Sequence, residues 1–427
     1  MTTQRVATLP ATAAHPREFV ADPGRQQVHP DSIPHLHSVT NLDFDVTENC
    51  NLGCLYCFKG EMYTKNMSLE TMKKALEWLF EASGTATSVN CNFMGGEPTM
   101  RWKEIRQFLP WARRRGAARG KHVTFSMTSN LTLFTDEIRD AVDRYGFGLL
   151  MSIDGCPDVQ DAQRPAKNGQ KMSAIVEHWA KSLLRTRPAS TARATIHPKY
   201  ADRVFDSMRY FKEIGFREVS VSLSEYHAWD EAALQALQHG IAQTVDFCHQ
   251  QHRAGDPFEL TLFRYTIGKL IHPRATGRDA EIGFMPSPCG AGKGYMMVDY
   301  TGDIWPCHRF DGADAAAGAG GGFRMGNIFG GQFDHALQKG FIDFDHSKMH
   351  KDSCTRCPVN PICGGYCPAA NLSDTGSIYT PHDVFCGWSQ LMYAAAEELY
   401  RRIAADGEES LARLVASAKS ASSDGQK

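Results

Sequence analysis

Ten of the thirteen cysteines in this 427-residue chain fall into two arrays that have the spacing of metal ligands. The first array is Cys50, Cys54 and Cys57, which lie on one predicted loop. Three thiolates so close together can bind three irons of a cubane iron–sulfur cluster, which leaves the fourth iron open for chemistry. The alternative is a zinc site, which normally needs a fourth ligand, and the nearest candidate, Cys91, lies on a different predicted strand.

The second array occupies the C-terminal third of the chain and contains seven cysteines. They are Cys289, Cys307, Cys354, Cys357, Cys363, Cys367 and Cys386. Zinc ribbons also contain C-x2-C pairs, but seven cysteines do not divide into four-coordinate zinc sites. This array therefore favours further iron–sulfur clusters, with zinc as the alternative.

Alternating strand-like and helix-like segments between residues 40 and 225 must position the first array. Leu42, Phe44 and Val46 alternate with polar residues, which predicts a strand directly before the loop. Further strands are expected at 88–94, 122–128, 147–152, 190–196 and 218–223, with helices between them and at 230–253 and 387–405. About six β/α units predict a parallel sheet, either curved like a barrel or doubly wound.

The stretch from Cys50 to Phe58, with Tyr56 just before the third cysteine, resembles the loop of the radical S-adenosylmethionine (SAM) enzymes. The resemblance implies a partial (β/α)6 TIM-type barrel. It also implies that the open iron binds the amino and carboxylate groups of SAM, and that one electron cleaves SAM to methionine and a 5′-deoxyadenosyl radical. Tyr56 would contact the adenine.

Polar motifs follow three successive predicted strands, at the end where β/α barrels place their sites. After strand 88–94, Gly95 and Gly96 allow a ligand to approach the backbone, and the Glu97 carboxylate can accept an ammonium group. By resemblance this is the GGE motif that holds the SAM amino group. The other expected SAM contacts are Ser129, Asn130, Ser152, Asp154 and Arg164, the last for the SAM carboxylate.

The second array resembles the SPASM domain, which carries two auxiliary 4Fe–4S clusters, so SAM and three 4Fe–4S clusters are the expected cofactors. The sulfatase-maturating members have a further cysteine that residues 280–288 lack, so the inner cluster would have an open iron or another ligand. By resemblance the outer cluster would be held by Cys354, Cys357, Cys363 and Cys386, and the inner one by Cys289, Cys307 and Cys367.

The segment Trp305–Phe310 resembles the thioether-forming peptide maturases. Sulfatase-maturating relatives have an aspartate general base directly after the cysteine, where this chain has His308. An imidazole can take a proton near neutral pH, and the alternative is that His308 packs or bonds to a cluster sulfur. Glu225, Tyr226 and His227 follow the last predicted strand and are candidate substrate contacts.

The resemblance covers roughly residues 40–390 and implies an enzyme that abstracts hydrogen from a peptide or protein and installs a thioether or carbon–carbon crosslink. The alternatives are a dehydrogenase or epimerase acting on an aminocyclitol or sugar, and a non-catalytic zinc or iron–sulfur module. Expected partners are a precursor peptide or protein, a separate leader-binding protein, and a flavodoxin- or ferredoxin-type electron donor.

Composition limits the other function classes. The formal net charge of −2 gives no electrostatic case for nucleic acid or an anionic membrane. No apolar run is long enough to span a bilayer and no export signal is evident, so the thiols indicate a reducing cytoplasm. Cys91, Cys156 and Cys248 are expected to be buried structural thiols.

The predicted organisation is an extended arm (1–38), a barrel (39–230), a helical linker (231–284), a SPASM domain (285–390) and a C-terminal helix and tail (391–427).

Overall fold

The computed structural model describes residues 39–59, 65–225, 227–271, 289–311, 322–343, 365–412 and 414, together with Cys354, Cys357, Val359 and Cys363. The predicted N-terminal arm, Tyr226 and residues 280–288 lie outside this part of the chain.

One ten-stranded sheet runs through the described residues, and its central part is the predicted parallel sheet. Its strands are β1 (Asn41–Thr47), β2 (Ser88–Gly95), β3 (His122–Ser129), β4 (Gly148–Ser152), β5 (Thr191–Ile196), β6 (Glu218–Leu223), β7 (Glu259–Leu260), β8 (Tyr295–Val298), β9 (Asp303–Trp305) and β10 (Gly326–Asn327). The strand order is β10-β9-β8-β1-β2-β3-β4-β5-β6-β7. The first six strands agree with the prediction to within about a residue at each end, which confirms the α/β class.

Helices alternate with the strands, as the sequence pattern predicts. They are α1 (Leu69–Ala82), α2 (Trp102–Ala118), α3 (Asp136–Tyr145), α4 (Pro157–Gln163), α5 (Ser173–Thr186), α6 (Val204–Ile214), α7 (Glu231–Arg253), α8 (Thr261–Ile271), α9 (His335–Ile342), α10 (Pro368–Thr375) and α11 (Asp383–Ala405). Capping residues set some of their starts; the Ser68 hydroxyl, for example, accepts a hydrogen bond from the Thr71 backbone N–H at 3.0 Å. Helices α4, α9 and α10 are absent from the predictions, and α8 lies in the stretch that was predicted as a helical linker without bounds for a second helix.

The apolar face of the sheet packs against the helices and forms the core. Phe93 on β2 lies at its centre, with ring centroids 5.8 Å from Phe44, 5.9 Å from Phe108 of α2, and 6.0 Å from Phe147. All four rings are almost completely buried. These aromatic contacts hold β1 and β2 in place beneath α2, and so fix the strand ends from which the candidate site begins.

The opposite face of the same strands is polar. Asn92 on β2 donates to Asp43 Oδ1 on β1 at 2.6 Å and accepts from the Ser126 hydroxyl on β3 at 2.9 Å. A cavity of about 710 Å³ lies against this face, towards the N-terminal ends of the strands. The alternation of apolar and polar residues along β1, β2 and β3 therefore produces a polar barrel interior.

The C-terminal strands belong to the same sheet as the barrel. Strand β8 pairs in parallel with β1, and β9 and β10 extend the edge in antiparallel fashion. The predicted domain boundary at residue 285 thus separates two parts of one continuous sheet. Helix α11 returns to the barrel, where His249 Nε2 of α7 lies 2.7 Å from Asp406 Oδ2 just beyond its end.

The three cysteines outside the arrays are buried, as expected: Cys91 lies on β2, Cys156 precedes α4, and Cys248 lies on α7. Within the described part of the chain, no helix combines the length and the apolar character needed to cross a membrane.

Replacing Phe93 with alanine should lower the free energy of unfolding by about 3–5 kcal/mol, because it leaves a cavity among the aromatic rings of the core. The matched control is Phe329→Ala, since Phe329 is 56% exposed, and its effect should stay within about 0.5 kcal/mol. Urea denaturation of the reconstituted protein, followed by tryptophan fluorescence, measures both changes. Equal effects of the two substitutions would contradict this core.

Candidate active site

The cysteine loop follows β1 directly and is held by backbone hydrogen bonds to the segment after α4. The N–H of Gly53 donates to the Pro165 carbonyl at 2.8 Å, and that of Leu55 donates to the Gln163 carbonyl at 3.0 Å. In return, the Lys167 N–H donates to the Asn51 carbonyl at 3.0 Å. These bonds fix the loop in a defined shape, so the positions of its three cysteines do not depend on side-chain packing alone.

Cys54 and Cys57 lie in one turn of this loop, where the Cys57 N–H donates to the Cys54 carbonyl at 3.1 Å, and Cys50 is buried. Burial raises the pKa of the Cys50 thiol to about 11 and that of the Cys54 thiol to about 12. Both thiols are therefore protonated at neutral pH before they bind iron. Loading the loop with metal must release these protons, which makes metal binding favourable at higher pH.

The glycines of the GGE motif permit close packing of two backbone segments. A Cβ atom on Gly95 would collide with the Thr47 carbonyl, and one on Gly96 with the Asn49 carbonyl. The side of each glycine on which a Cβ would stand faces the end of β1 or the start of the cysteine loop. The predicted contact of these glycines with SAM stays a prediction. The motif therefore presses the turn after β2 against the cysteine loop.

Glu97, predicted to accept the SAM ammonium group, is buried, and both of its carboxylate oxygens accept hydrogen bonds within the protein. Its Oε1 accepts from the Thr99 hydroxyl at 2.6 Å and the Ser129 hydroxyl at 2.8 Å, and its Oε2 accepts from the Asn130 N–H at 2.8 Å. Burial raises the pKa of Glu97, and these hydrogen bonds oppose the increase. Glu97 thus joins the turn after β2 to the end of β3.

Asn130 continues this connection to the cysteine loop. Its Nδ2 donates to Asn51 Oδ1 at 3.1 Å and lies 3.7 Å from Cys50 Sγ, and its Oδ1 accepts from the Thr132 hydroxyl at 2.6 Å. The predicted ribose contacts Ser129 and Asn130 are therefore already bonded within the protein. Their neighbours lie in loops far away in the sequence, so strand-end position alone could not reveal these bonds.

Tyr56, Asp154 and Arg164 form a buried cluster beside Cys54. Asp154 Oδ1 accepts from Arg164 Nη2 at 2.9 Å and from the Thr195 N–H at 3.0 Å, while Oδ2 accepts a short hydrogen bond from the Tyr56 hydroxyl. The Arg164 guanidinium lies 5.4 Å from the Tyr56 ring centre, and its Nη1 lies 4.0 Å from Cys54 Sγ. The structure thus brings together three residues that the sequence placed on separate segments.

Several polar atoms near the cysteine loop are left without partners among the described residues. Arg164 Nε and Asp45 Oδ1 are buried without a hydrogen bond. The Ser152 hydroxyl, at the end of β4, also has no hydrogen bond in the described part of the chain. The open Arg164 Nε, which belongs to the side chain beside Cys54, can donate a hydrogen bond to an anionic group of a ligand.

In the second array, Cys289, Cys307 and Cys367 influence one another electrostatically. Burial raises the pKa of the Cys307 thiol well above its usual value, and the charges of Cys367 and Cys289 raise it further. They are the residues expected to form the inner group.

The expected outer group gathers near the start of α11. The Cys357 N–H donates to the Cys354 carbonyl at 3.1 Å, and Gln390 Nε2 lies 3.8 Å from Cys357 Sγ. Gln390 is one helical turn after Cys386, which places that cysteine on the same part of the helix. The Cys363 N–H donates to the Val359 carbonyl at 2.9 Å.

Among the described residues, no three His, Cys, Asp or Glu side chains surround a single point as ligands of one metal ion would. A cubane cluster requires a different arrangement of ligands, since each of its irons binds its own thiolate. The ligands of one zinc ion would instead all lie about 2.3 Å from a common centre.

His308 lies between the C-terminal region and the barrel interior. Its Nδ1 is 2.7 Å from the Tyr295 hydroxyl and 3.0 Å from Asp43 Oδ2, and its ring centre is 5.6 Å from that of Phe58. Asp43 is almost completely buried on the inner face of β1. Sequence reasoning missed Asp43 and Tyr295, although the inward position of Asp43 in an alternating strand is a signal that could have found it.

Glu225, a predicted substrate contact, is bonded to the C-terminal region. It forms a short ion pair with Arg309 and accepts from the Tyr366 hydroxyl at 3.2 Å. His227, another predicted contact, has Nδ1 at 2.9 Å from the Glu225 backbone carbonyl, and its ring centre lies 4.3 Å from that of His197. Glu225 therefore helps to join the end of β6 to the C-terminal region.

Comparison with known proteins agrees with this arrangement. The model of the radical SAM superfamily matches residues 44–224, and the model of SPASM, an iron–sulfur cluster-binding domain, matches residues 289–358. Together the two matches cover more than half of the chain. The protein therefore belongs to the radical SAM superfamily. The chain also carries a C-terminal SPASM domain. Together, the radical SAM domain and the SPASM domain imply that the protein binds SAM and 4Fe–4S clusters.

The serine-type anaerobic sulfatase-maturating enzyme of Bacteroides thetaiotaomicron is 24% identical over 355 residues, which cover 76% of this chain and 81% of that protein. A match to an uncharacterized protein of Methanocaldococcus jannaschii, 27% identical over 135 residues, spans only 45% of that protein.

Two solved structures share the fold. The structure of anSMEcpe with bound AdoMet and the Cp18Cys peptide has a TM-score of 0.65 at 17% identity, and the match covers 89% of this chain and 99% of that one. The structure of Streptococcus suis SuiB bound to the precursor peptide SuiA has a TM-score of 0.57 at 18% identity, with 82% and 77% covered.

Replacing Gly96 with alanine should displace the cysteine loop, because the new Cβ collides with the Asn49 carbonyl. We expect the reconstituted variant to lose about four irons per chain, the content of one cubane. Gly268→Ala in α8 is the matched control, since a Cβ there meets no atom within 4 Å. Iron and sulfide analysis makes the measurement, and full iron content in Gly96→Ala would contradict the proposed packing.

Proposed function

We propose that this protein is a peptide-modifying radical SAM enzyme, which removes a hydrogen atom from a residue of a peptide or protein and installs an oxidative crosslink of the thioether or carbon–carbon type. The observation that carries the proposal is His308, held by Asp43 and Tyr295 between the barrel interior and the inner cysteine group. A proton acceptor at this place suits bond formation by a substrate thiol or similar group. The relatives support a peptide substrate, since one matures sulfatases and two neighbours are solved with peptides.

Three 4Fe–4S clusters are the proposed metal content. Cys50, Cys54 and Cys57 would hold the first, and the inner and outer groups of the second array would hold the others. When bound, the first cluster and SAM would supply radical chemistry for hydrogen abstraction, and the C-terminal clusters would supply an acceptor for the electron released on oxidation.

The residues near the cysteine loop divide into two roles in this proposal. Tyr56, Ser152, Asp154 and Arg164 orient SAM, with the open Arg164 Nε and Ser152 hydroxyl as donors to its carboxylate. The remaining predicted SAM residues act indirectly, because their own hydrogen bonds and packing hold the loop that presents the iron. These residues are Gly95, Gly96, Glu97, Ser129 and Asn130.

His308 has a defined role as proton acceptor for the substrate. The Nδ1–H of His308 is shared between Asp43 Oδ2 and the Tyr295 hydroxyl oxygen, and the Tyr295 hydroxyl in turn donates to Asp43 Oδ2. An imidazole whose one nitrogen is held by a carboxylate directs its other nitrogen outwards. Asp43 is therefore a positioning residue for His308.

The partners proposed for this reaction are a precursor peptide or protein, a separate protein that binds its leader, and a flavodoxin- or ferredoxin-type electron donor. A reducing cytoplasm is the proposed location, because ten thiols must stay available for iron.

Replacing Cys50 with alanine should reduce 5′-deoxyadenosine formation to background, because the first cluster loses a ligand. The reconstituted wild-type protein, treated with dithionite and SAM, should form 5′-deoxyadenosine that liquid chromatography and mass spectrometry detect. Cys248→Ala, which removes a buried thiol outside both arrays, should retain this activity. If the wild-type protein forms only background amounts of 5′-deoxyadenosine, the proposal that it is an enzyme is wrong. If Cys50→Ala forms normal amounts, the cysteine loop does not hold the cluster that cleaves SAM.

His308→Gln should separate SAM cleavage from product formation. The substrate for this test is a precursor peptide that is encoded beside the gene of the enzyme and that the wild-type enzyme modifies. We expect the yield of modified peptide to fall by about 10²–10⁴-fold while 5′-deoxyadenosine formation continues. Asp43→Asn should show the same pattern with a smaller loss. Mass spectrometry of the peptide detects the loss of a pair of hydrogens. Equal loss of product and 5′-deoxyadenosine in His308→Gln would contradict the role of His308.

A further inference from the structure

Arg193 places a positive charge on the inner face of the barrel. It lies on β5, where Ala192, Ala194 and Ile196 face the buried core and the residues between them face inwards. In the sheet it stands between Ser152 of β4 and Ser220 of β6. Its Nη1 donates to the Ser220 hydroxyl at 3.0 Å, and it forms no ion pair within the described part of the chain.

The two carboxylates on either side of Arg193 are already committed to other cations. Asp154 is bonded to Arg164, and Glu225 is paired with Arg309. Among the described residues, Arg193 takes part in neither of these ion pairs and in no other. Its positive charge is therefore not paired with a carboxylate in this part of the structure.

No ion pair among the described residues balances the positive charge of Arg193. Burial and the nearby charge of Arg309 lower the pKa of Arg193, although a guanidinium stays protonated. A buried charge is unfavourable unless an opposite charge and hydrogen bonds compensate it. An anionic group on a bound ligand would supply that compensation, and a carboxylate matches the guanidinium with two parallel hydrogen bonds.

The direction of the side chain indicates which ligand supplies the carboxylate. Arg193 is bonded to Ser220 of β6 and interacts with the charges of Arg309, Tyr366, Glu225 and Tyr56, whereas Arg164 lies beside Cys54. The amino-acid part of SAM belongs on the Cys54 side, next to the open iron. The β6 side is left for the substrate.

We propose that Arg193 is a specificity-determining residue that binds an acidic side chain, Asp or Glu, of the peptide substrate inside the barrel. The inference rests on the proposed function, since it names a feature of the peptide that this site accepts. An acidic residue near the modified position would pair with Arg193 and set the register of the peptide in the barrel.

The test uses a library of random decapeptides and the immobilised holoenzyme, reconstituted with iron and supplied with SAM. Bound peptides are sequenced. The wild-type enzyme should enrich Asp and Glu over Asn and Gln about tenfold at one position, since a charge-assisted bond contributes a factor of this order. Arg193→Gln should remove the enrichment. Arg106→Gln is the matched control, because Arg106 is an exposed arginine of α2 paired with Glu137, and it should leave the enrichment unchanged.

Circular dichroism and iron content verify each variant, and equilibrium dialysis measures its SAM affinity. If Arg193→Gln fails to load iron, Arg193→Lys replaces it; this variant keeps the charge but loses the paired donors, and the enrichment should weaken several-fold. Unchanged acidic enrichment in the Arg193 variants overturns the proposal. A loss of SAM affinity with the acidic enrichment retained also overturns the proposal, because it would show that Arg193 binds the carboxylate of SAM.

The outcomes also separate this inference from the proposed function. Capture of peptides by the wild-type enzyme without acidic preference overturns the role of Arg193 alone. No capture of any peptide overturns the peptide substrate itself, and the role of Arg193 with it.

Discussion

The contact between two backbone segments at the end of β1 and β2 is the constraint on which the site depends. The Gly96 N–H donates to the Thr47 carbonyl at 2.6 Å, and the Glu97 N–H donates to the Asn49 carbonyl at 2.9 Å. No side chain fits between these segments, so glycine is required. Since Cys50 follows Asn49 directly, this contact determines where the first thiolate lies relative to the ends of all the other strands.

A second constraint is the continuity of the sheet across the two domains. Strand β8 lies beside β1, so the C-terminal region is registered against the same strand that carries the cysteine loop. This pairing brings Tyr295 and His308 to Asp43 of β1. The ion pair of Arg309 with Glu225 fastens the same region to β6, on the far side of the barrel. A substrate enclosed between these attachments would lie between the cysteine loop and the inner cysteine group.

Sequence reasoning identified the elements that depend on local patterns, and missed those that depend on distant partners. Strict alternation predicts β1 to β6, and cysteine spacing predicts both arrays, because each pattern is contained in a short segment. Glu97 was expected to face a ligand; its donors at Ser129 and Asn130 lie on another loop, and only the folded sheet brings them together. The partnership of Asp43 with His308 spans 265 residues and depends on the pairing of β8 with β1, which no local pattern encodes.

The central claim is that the cysteine loop presents an iron with an open position to SAM. Electron–nuclear double resonance on the dithionite-reduced protein, with SAM isotopically labelled at the amino nitrogen, tests it most directly. The account predicts a hyperfine coupling between the reduced cluster and the labelled nitrogen, which disappears in Cys50→Ala. A reduced cluster that shows no coupling to the labelled nitrogen, in protein with full iron content, would contradict the account.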